Sequence, residues 1–184
     1  MPGNKKAKRK PAPKGIDTPQ RMVERMETGL AERRKRKLAV HQRNVRLSQL
    51  PMGHPTNRYV IDLTFSPFDK MFDDHDKTGT HMFTEDGQAV LWVERDACYT
   101  PIPDACFEIT AQFQFTADEL GWGEVPPGLM GYGAKLAAGL PINAEDQADA
   151  RATVKWMRDR LAEISCLQWA SSMVRMESEK KEAA

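Results

Sequence analysis

The chain has 184 residues, and its 27 Lys and Arg residues nearly balance its 26 Asp and Glu residues, which leaves a formal net charge of +1. The absence of any apolar run near the roughly 18 residues of a membrane span excludes a membrane protein at the level of sequence. Three cysteines without close repeats favour a reducing compartment over a disulfide framework.

The beginning of the chain also bears on localisation. Residues 1–14 lack the apolar stretch of a secretory signal. We therefore expect no membrane partner and a location in the cytoplasm or inside a host cell. A nuclear location is the alternative if the chain is eukaryotic, because its basic runs resemble import signals in composition.

The small net charge hides a strong asymmetry along the chain. Residues 1–50 contain 15 basic and 4 acidic residues, whereas residues 51–142 contain 5 basic and 14 acidic residues. The first segment therefore carries +11 and the second −9, and residues 143–184, with 7 basic and 8 acidic residues, are almost neutral. Such asymmetry indicates contact with a polyanion, or assembly.

Two segments are predicted before the main domain. Residues 1–16 combine three prolines, two glycines and six basic residues with very few apolar side chains, so they are predicted to form a disordered basic tail. Residues 17–50 are predicted to form a basic helical arm. Its helix is expected from about residue 19 to residue 48, because Thr18 suits a helix cap and Pro19 suits the first helical position.

Residues 51–184 are predicted to form an α+β domain with a small antiparallel sheet of about four strands, packed by a long C-terminal helix. Two of the strands flank an Asp86-Gly87 turn, which is typical of a hairpin. The other two are predicted from β-branched content and from alternating apolar and polar residues. The four predicted strands are residues 58–64, 80–84, 88–94 and 106–116.

Helices are predicted at three further places in this domain. A short helix is expected over residues 68–73 after Ser66-Pro67, and another lies near residues 132–138 within a long loop rich in glycine and proline. The clearest helix signal begins with Asn143 as the cap and runs to about Met176. Residues 177–184 are expected to fray.

The basic arm is the principal functional candidate. Dense cations displace counterions from nucleic acid, which gives affinity for the phosphate backbone without strong sequence specificity. The alternative partner is an acidic protein surface, including the chain's own acidic body in a homo-oligomer. The candidate nucleic-acid-binding residues are Lys5, Lys6, Lys8, Arg9, Lys10, Lys14, Arg33, Arg34, Lys35, Arg36, Lys37, Arg43 and Arg46.

A calcium site is the first metal hypothesis, and the alternative is a transition-metal site formed by His75 and His81 with Asp74 and Asp76. Asp74, Asp76, Thr78 and Glu85 occupy oxygen-bearing positions of an EF-hand-like loop, with Gly79 at the place of the sharp turn. The pattern departs from the calcium motif because its fifth position is Thr and a strand is expected where the motif has a helix. A solvated acidic turn is the alternative interpretation, and no cofactor is then expected.

The remaining motifs predict structural roles. The glycine-rich stretch at residues 128–135 fails the phosphate-loop pattern because Lys135 is not followed by Ser or Thr. The three cysteines are predicted to be packed thiols, and Trp122 and Tyr132 are predicted to hold a loop to the core. No catalytic motif is present, so an enzyme whose site forms only in the fold ranks behind a nucleic-acid-associated protein and a scaffold-like assembly protein.

Overall fold

The computed structural model describes residues 19–182, and within that range it contains six α-helices and one three-stranded antiparallel sheet. The predicted α+β class is confirmed. The predicted disordered tail, residues 1–16, lies outside the described residues. Contacts divide the chain into two units, Met1–Arg43 and Asn44–Ala184, each with its own internal contacts.

The predicted basic helix is present with the expected bounds. α1 runs Pro19–Ser48, and none of its residues is buried. Thr18, the predicted cap, lies outside the described residues. In the second unit, the side-chain amide of Asn57 donates hydrogen bonds to the carbonyl oxygens of Leu47 (2.8 Å) and Leu50 (3.2 Å). The Leu47 carbonyl also accepts a hydrogen bond of 3.2 Å from the N–H of Leu50, so the amide adds a second donor there and ties the end of α1 to the start of the second unit's next segment.

The prediction of a strand over residues 58–64 is wrong, because this segment opens a long helix. α2 runs Arg58–Thr78 and contains Pro67, so the helix predicted over residues 68–73 is its second half. The β-branched residues of this segment prefer a strand locally. In a helix, however, the segment continues the helical spacing of the apolar residues that follow it, and these are buried together. The buried large apolar side chains of α2 are Ile61, Phe65, Phe68, Met71 and Phe72.

The sheet has three strands, not four. β1 is Met82–Phe83, β2 is Ala89–Val93 and β3 is Cys98–Pro101, in the antiparallel order β1-β2-β3. The predicted hairpin between the first two strands is confirmed, with Gly87 at φ 82° in its turn. The third strand was not predicted, and it pairs with β2 so that Tyr99 lies opposite Trp92.

The second strand prediction that is wrong concerns residues 106–116. This segment lies in α3, which runs Ile102–Leu120. Its apolar residues recur both at every second position, as in a strand, and at every third or fourth position, as in a helix. The residues with the helical spacing are the ones that are buried. The buried apolar residues of α3 are Ile102, Ala105, Cys106, Ile109, Phe113 and Ala117.

The predicted C-terminal helix is interrupted and forms two separate helices. A short helix precedes them in the chain. α4 runs Gly128–Ala137, α5 runs Ala144–Glu163 and α6 runs Cys166–Glu182. Asn143 caps α5 as predicted, in a capping box with Asp146. The predicted fraying of the last residues is wrong up to residue 182, because the helix continues to that point.

A backbone pairing accounts for the interruption. Ile164 has extended backbone angles, and its carbonyl oxygen accepts a hydrogen bond of 2.7 Å from the N–H of Met52. Ser165 forms an isolated bridge with Pro51. The strand-like contact with residues 51–52 thus replaces the helical hydrogen bonds that would have joined α5 to α6, a long-range effect that helix periodicity does not reveal.

The core of the second unit lies where the helices meet. α3 packs against α4 and α6, and α5 packs against α2 and α4, while the sheet lies chiefly against α2 and α3. Aromatic rings join these elements: Phe65 lies 5.9 Å from Phe113, and Phe72 lies 5.7 Å from Tyr132, measured between ring centroids. These arrangements fall within the range of favourable aromatic pairs.

The close approach of α4 and α5 gives a test of this packing. A Cβ at Gly128 would lie 2.3 Å from the backbone oxygen of Asp149, whereas a Cβ at Gly131 would meet nothing within 4 Å. We expect Gly128→Ala to lower the free energy of unfolding by about 1–3 kcal/mol, since backbone has to move. Gly131→Ala is the matched control in the same helix, and it should raise stability by up to about 1 kcal/mol. Urea denaturation of both variants measures the difference, and equal effects would contradict this helix packing.

Candidate nucleic-acid interface

The predicted nucleic-acid-binding residues fall into two groups. Six of them, Lys5, Lys6, Lys8, Arg9, Lys10 and Lys14, lie outside the described residues. The other seven lie on α1 and are all exposed: Arg33, Arg34, Lys35, Arg36, Lys37, Arg43 and Arg46. The structure therefore places the dense cationic run on a helix whose side chains reach solvent.

The helical geometry distributes these charges around α1. At 100° per residue, Lys35, Arg36 and Arg43 fall within a sector of about 100°. Arg34 and Lys37 point to the other side of the helix, and Arg33 lies between the two groups. A cationic surface that nearly encircles one turn cannot contact an apolar core, but it can meet negative charge from more than one direction.

Little of this charge is neutralised within the described part of the chain. Between residues 19 and 182, the cationic run at residues 33–37 makes one ion pair, in which Arg36 lies 4.0 Å from Glu32. The two side chains are 83% and 66% exposed, so the pair contributes little stability. The run therefore keeps most of its positive charge uncompensated among residues 19–182.

The calcium hypothesis requires a loop where the structure has a helix. Asp74, Asp76 and Thr78 lie at the end of α2, and Glu85 lies in the turn of the hairpin. Asp76 accepts a hydrogen bond of 2.7 Å from Gln147 and also pairs with Arg151. Within residues 19–182, no three or more His, Cys, Asp and Glu side chains are grouped so that they could hold a metal ion.

A buried polar cluster links the start of the hairpin to α4. The Nε2 atom of His81 lies 2.9 Å from the Tyr132 hydroxyl, and the ring of His75 lies 4.7 Å from that of His81. Burial, and secondarily the charge of His75, lower the pKa of His81 to about 4. Burial raises the pKa of Tyr132. Both groups are therefore neutral near pH 7, and their hydrogen bond has a structural role.

The cysteine prediction is correct for one residue and wrong for another. Cys106 is buried, and burial raises its pKa to about 12, so it is an inert packed thiol. Cys98, in contrast, is exposed on β3. Cys166 is partly buried, and burial raises its pKa. The sequence did not reveal the exposed thiol because β3 itself was not predicted.

The aromatic residues of the glycine-rich region pack as predicted. Tyr132 is buried, with 1% of its surface exposed. Trp122 is partly buried against the core, and its ring lies 6.4 Å from that of Trp156. The predicted short helix in this region is present as α4, and Lys135 on it pairs with Asp146 at 2.5 Å. These contacts hold the region to α5.

A groove in the second unit, lined by both apolar and polar side chains, was not predicted from the sequence. Its cavity of about 280 Å³ is formed by α2, β2, β3, α3 and α6. Its rim holds the hydrogen-bonded pairs Arg95–Asp96 and Gln112–Glu108. Finding it would have required correct helix predictions for residues 58–64 of α2 and residues 106–116 of α3, and both of these segments were predicted as strands. The groove is lined by apolar side chains that include Leu63, Phe68, Leu91, Val93, Ile109 and Trp169.

Comparison with protein-family models, with curated proteins and with solved structures finds no match to this chain. No helix between residues 19 and 182 combines the length and apolar character that crossing a membrane requires. The assignment of function therefore depends on the geometry and charge of the chain's own residues.

The low pKa of His81 predicts a dependence of stability on pH. Between pH 6.5 and about pH 4 the unfolded chain binds a proton at His81 that the folded chain does not bind. This contribution leaves stability unchanged above pH 6.5 and lowers it as the pH falls towards 4, by about 1–2 kcal/mol after allowance for partial solvent contact.

Urea denaturation at pH 7, 6 and 5 measures this effect. In His81→Gln, which cannot titrate, the loss of stability between pH 7 and pH 5 should be smaller than in the wild type. His41→Gln, on the exposed surface of α1, is the matched control and should keep the wild-type dependence. An unchanged loss in His81→Gln would show that this ring does not carry the effect.

Proposed function

We propose that the chain is a non-enzymatic nucleic-acid-associated protein whose basic N-terminal arm contacts the phosphate backbone without strong sequence specificity. The observation that carries the proposal is the run of five exposed cations at residues 33–37 on a helix with no buried residue. The acidic α+β domain serves in assembly or in contact with a partner. The protein acts in the cytoplasm or inside a host cell, or in the nucleus of a eukaryote.

The distribution of charge around α1 supports backbone contact over contact with a single flat surface. A helix in the major groove of a duplex has phosphates on both of its sides. Lys35 and Arg36 on one side, and Arg34 and Lys37 on the other, match that arrangement of negative charge. Because phosphate contacts position a protein and do not read bases, we expect broad sequence tolerance.

The chemistry of the cationic side chains also supports the proposal. Arginine forms two parallel hydrogen bonds with a phosphate, and its charge is less strongly hydrated than that of lysine. α1 offers both Arg33 and Arg34 beside Lys35. Each cation that neutralises a phosphate releases a condensed counterion, so binding should weaken steeply as salt rises.

The decisive measurement is the salt dependence of binding to DNA and to RNA, each single-stranded and double-stranded. The triple variant Lys35→Gln, Arg36→Gln, Arg43→Gln should weaken binding and lower the slope of log K against log salt by about 2–3. The slope should fall because up to three phosphate contacts are removed, and fluorescence anisotropy with labelled oligonucleotides can measure it.

A charge-matched control separates this effect from a change in net charge. Lys77→Gln, Lys180→Gln, Lys181→Gln removes three exposed cations from the second unit instead of from the arm. This control should retain the wild-type slope. If both triple variants lose the same affinity, or if the wild type shows no binding that depends on salt, the proposal is wrong.

The second candidate function is a scaffold-like assembly protein. The opposite charges of residues 1–50, at +11, and residues 51–142, at −9, favour it specifically, because the arm of one copy would then meet the body of another. Light scattering without nucleic acid separates the two candidates: if the arm of one copy holds the body of another, the mass falls as salt rises, whereas an arm that contacts only phosphate leaves the mass independent of salt.

A further inference from the structure

The groove of the second unit lies between one face of α2 and one face of α3. Its lining residues on α2 are at positions 60, 63, 64, 67 and 68, and those on α3 are at positions 105, 108, 109 and 112. Steps of three and four residues place side chains on the same side of a helix. β2, β3, the turn between them and Trp169 of α6 complete the lining. The volume of about 280 Å³ is close to the lower end of the range of about 300–1,000 Å³ for ligand pockets, so the groove suits a small ligand.

The apolar part of the groove is continuous with the core. Phe68, Leu91 and Ile109 line it and are buried. Leu63 also lines it but is 41% exposed, so it marks the side that opens to solvent. An apolar group that enters here leaves water and also covers Leu63, and both changes are favourable. The groove therefore offers an apolar body a place against side chains that are already fixed by folding.

The polar part of the groove carries an excess of negative charge. Arg95, Asp96 and Glu108 line it and contribute one positive and two negative charges, a sum of −1. Arg95 donates hydrogen bonds of 3.0 and 2.9 Å to the two carboxylate oxygens of Asp96. Glu108 accepts a hydrogen bond of 3.0 Å from the amide of Gln112, a partner without charge. The pKa of Arg95 is raised, first by its hydrogen bond to Asp96 and also by the charge of Glu108, so the three charged groups lie near one another.

This arrangement discriminates between classes of ligand. An anion would lie beside the carboxylate of Glu108, and it would have to compete with Asp96 for the guanidinium group of Arg95. A cationic N–H group can instead donate to Glu108 and to the side-chain oxygen of Gln112, whose amide nitrogen is the donor in the existing hydrogen bond. Hydrogen bonds between charged groups are about twice as strong as neutral ones. Charge complementarity therefore favours a cation over a neutral or anionic ligand of the same shape.

We propose that the groove binds a small organic cation, an amine carried by a short aromatic or aliphatic group. The apolar group lies between α2 and α3, and the ammonium group donates to the carboxylate of Glu108. All of the lining residues belong to the second unit. The inference goes beyond the proposed function and does not depend on it.

Three probes of one shape and different charge test the ligand class. Phenethylamine is a cation near pH 7, phenethyl alcohol is its neutral analogue, and phenylacetate is an anion. In the full chain freed of nucleic acid, we expect phenethylamine to bind with a dissociation constant of about 1 mM, as suits a ligand of this size. The alcohol should bind about 3-fold more weakly because it lacks the ion pair, and phenylacetate more weakly still. Equal affinities for the three probes, or no saturable binding of the amine, would overturn the proposal.

The indole N–H signals in a ¹H–¹⁵N NMR spectrum report where the amine binds. The chain has 4 Trp residues, and Trp169 lines the groove whereas Trp122 does not. The variant Trp169→Phe assigns the signal of Trp169. We expect phenethylamine to shift this signal with the same saturation that the affinity measurement shows, and to leave the signal of Trp122 in place. A shift at Trp122 that equals the shift at Trp169 would contradict binding in the groove.

Glu108→Gln tests the charged contact, because it keeps the shape of the side chain and removes its negative charge. In this variant the amine should bind about 3-fold more weakly than in the wild type, at the affinity of the alcohol, and the affinity of the alcohol should change little. Glu177→Gln, on the exposed surface of α6, removes an equal charge and is the matched control. It should retain the preference for the amine. A preference that persists in Glu108→Gln would show that another group holds the ammonium ion.

Leu63→Asn tests the apolar contact without a change of charge. It should weaken the binding of the amine and of the alcohol alike, because both lose apolar contact. Val174→Asn, at a residue that is 64% exposed on α6, is the matched control and should bind both probes as the wild type does. Circular dichroism confirms that each variant is folded, and unchanged affinities in Leu63→Asn would contradict the proposal. Because these variants leave α1 unchanged and the sample holds no nucleic acid, a failure here is distinct from a failure of the oligonucleotide measurements.

Discussion

Five adjacent cations on α1 determine which part of the chain can build a core. Because residues 33–37 point in every direction around the helix, burying this turn would place charge in an apolar environment at a cost that no described ion pair offsets. Among residues 19–182, the buried apolar residues accordingly all lie between Met52 and Met176. The charge pattern thus divides the chain into a part that can fold around apolar side chains and a part that has to face water or a partner.

Within the second unit, the backbone at residues 51–52 has a consequence far from its position in sequence. By pairing with Ile164 and Ser165, it ends α5 and allows α6 to take a new direction, which places Trp169 against Phe113 at 4.9 Å between ring centroids. The hydroxyls of Thr116 and Ser172 lie 2.9 Å apart and are both buried. Because the Thr116 hydroxyl also donates to the Gln112 carbonyl, at 3.0 Å, it can accept from Ser172, and the buried Ser172 hydroxyl has a partner where α3 meets α6.

The sequence predicted the features that depend on local physics. The bounds of α1, the cap at Asn143 and the Asp86-Gly87 hairpin follow from residues that act on their own neighbours. The two strand predictions failed where a local preference opposed tertiary packing. In residues 106–116 the phenylalanine at position 113 fits both periods, and only the contacts of α3 with α4 and α6 select the helix.

The candidate sites also differ in whether they depend on local sequence or on tertiary packing. A run of cations can be recognised in the sequence because its positive charge is the sum over adjacent residues. Residues 33–37 could therefore be identified without a structure. The groove could not, since Leu63, Leu91 and Ile109 come from three elements and become one surface only after folding. If nucleic acid and the acidic body both attract the arm, salt weakens both contacts, and salt alone cannot tell them apart. A measurement in the absence of nucleic acid can, because any contact of the arm that then remains is with protein.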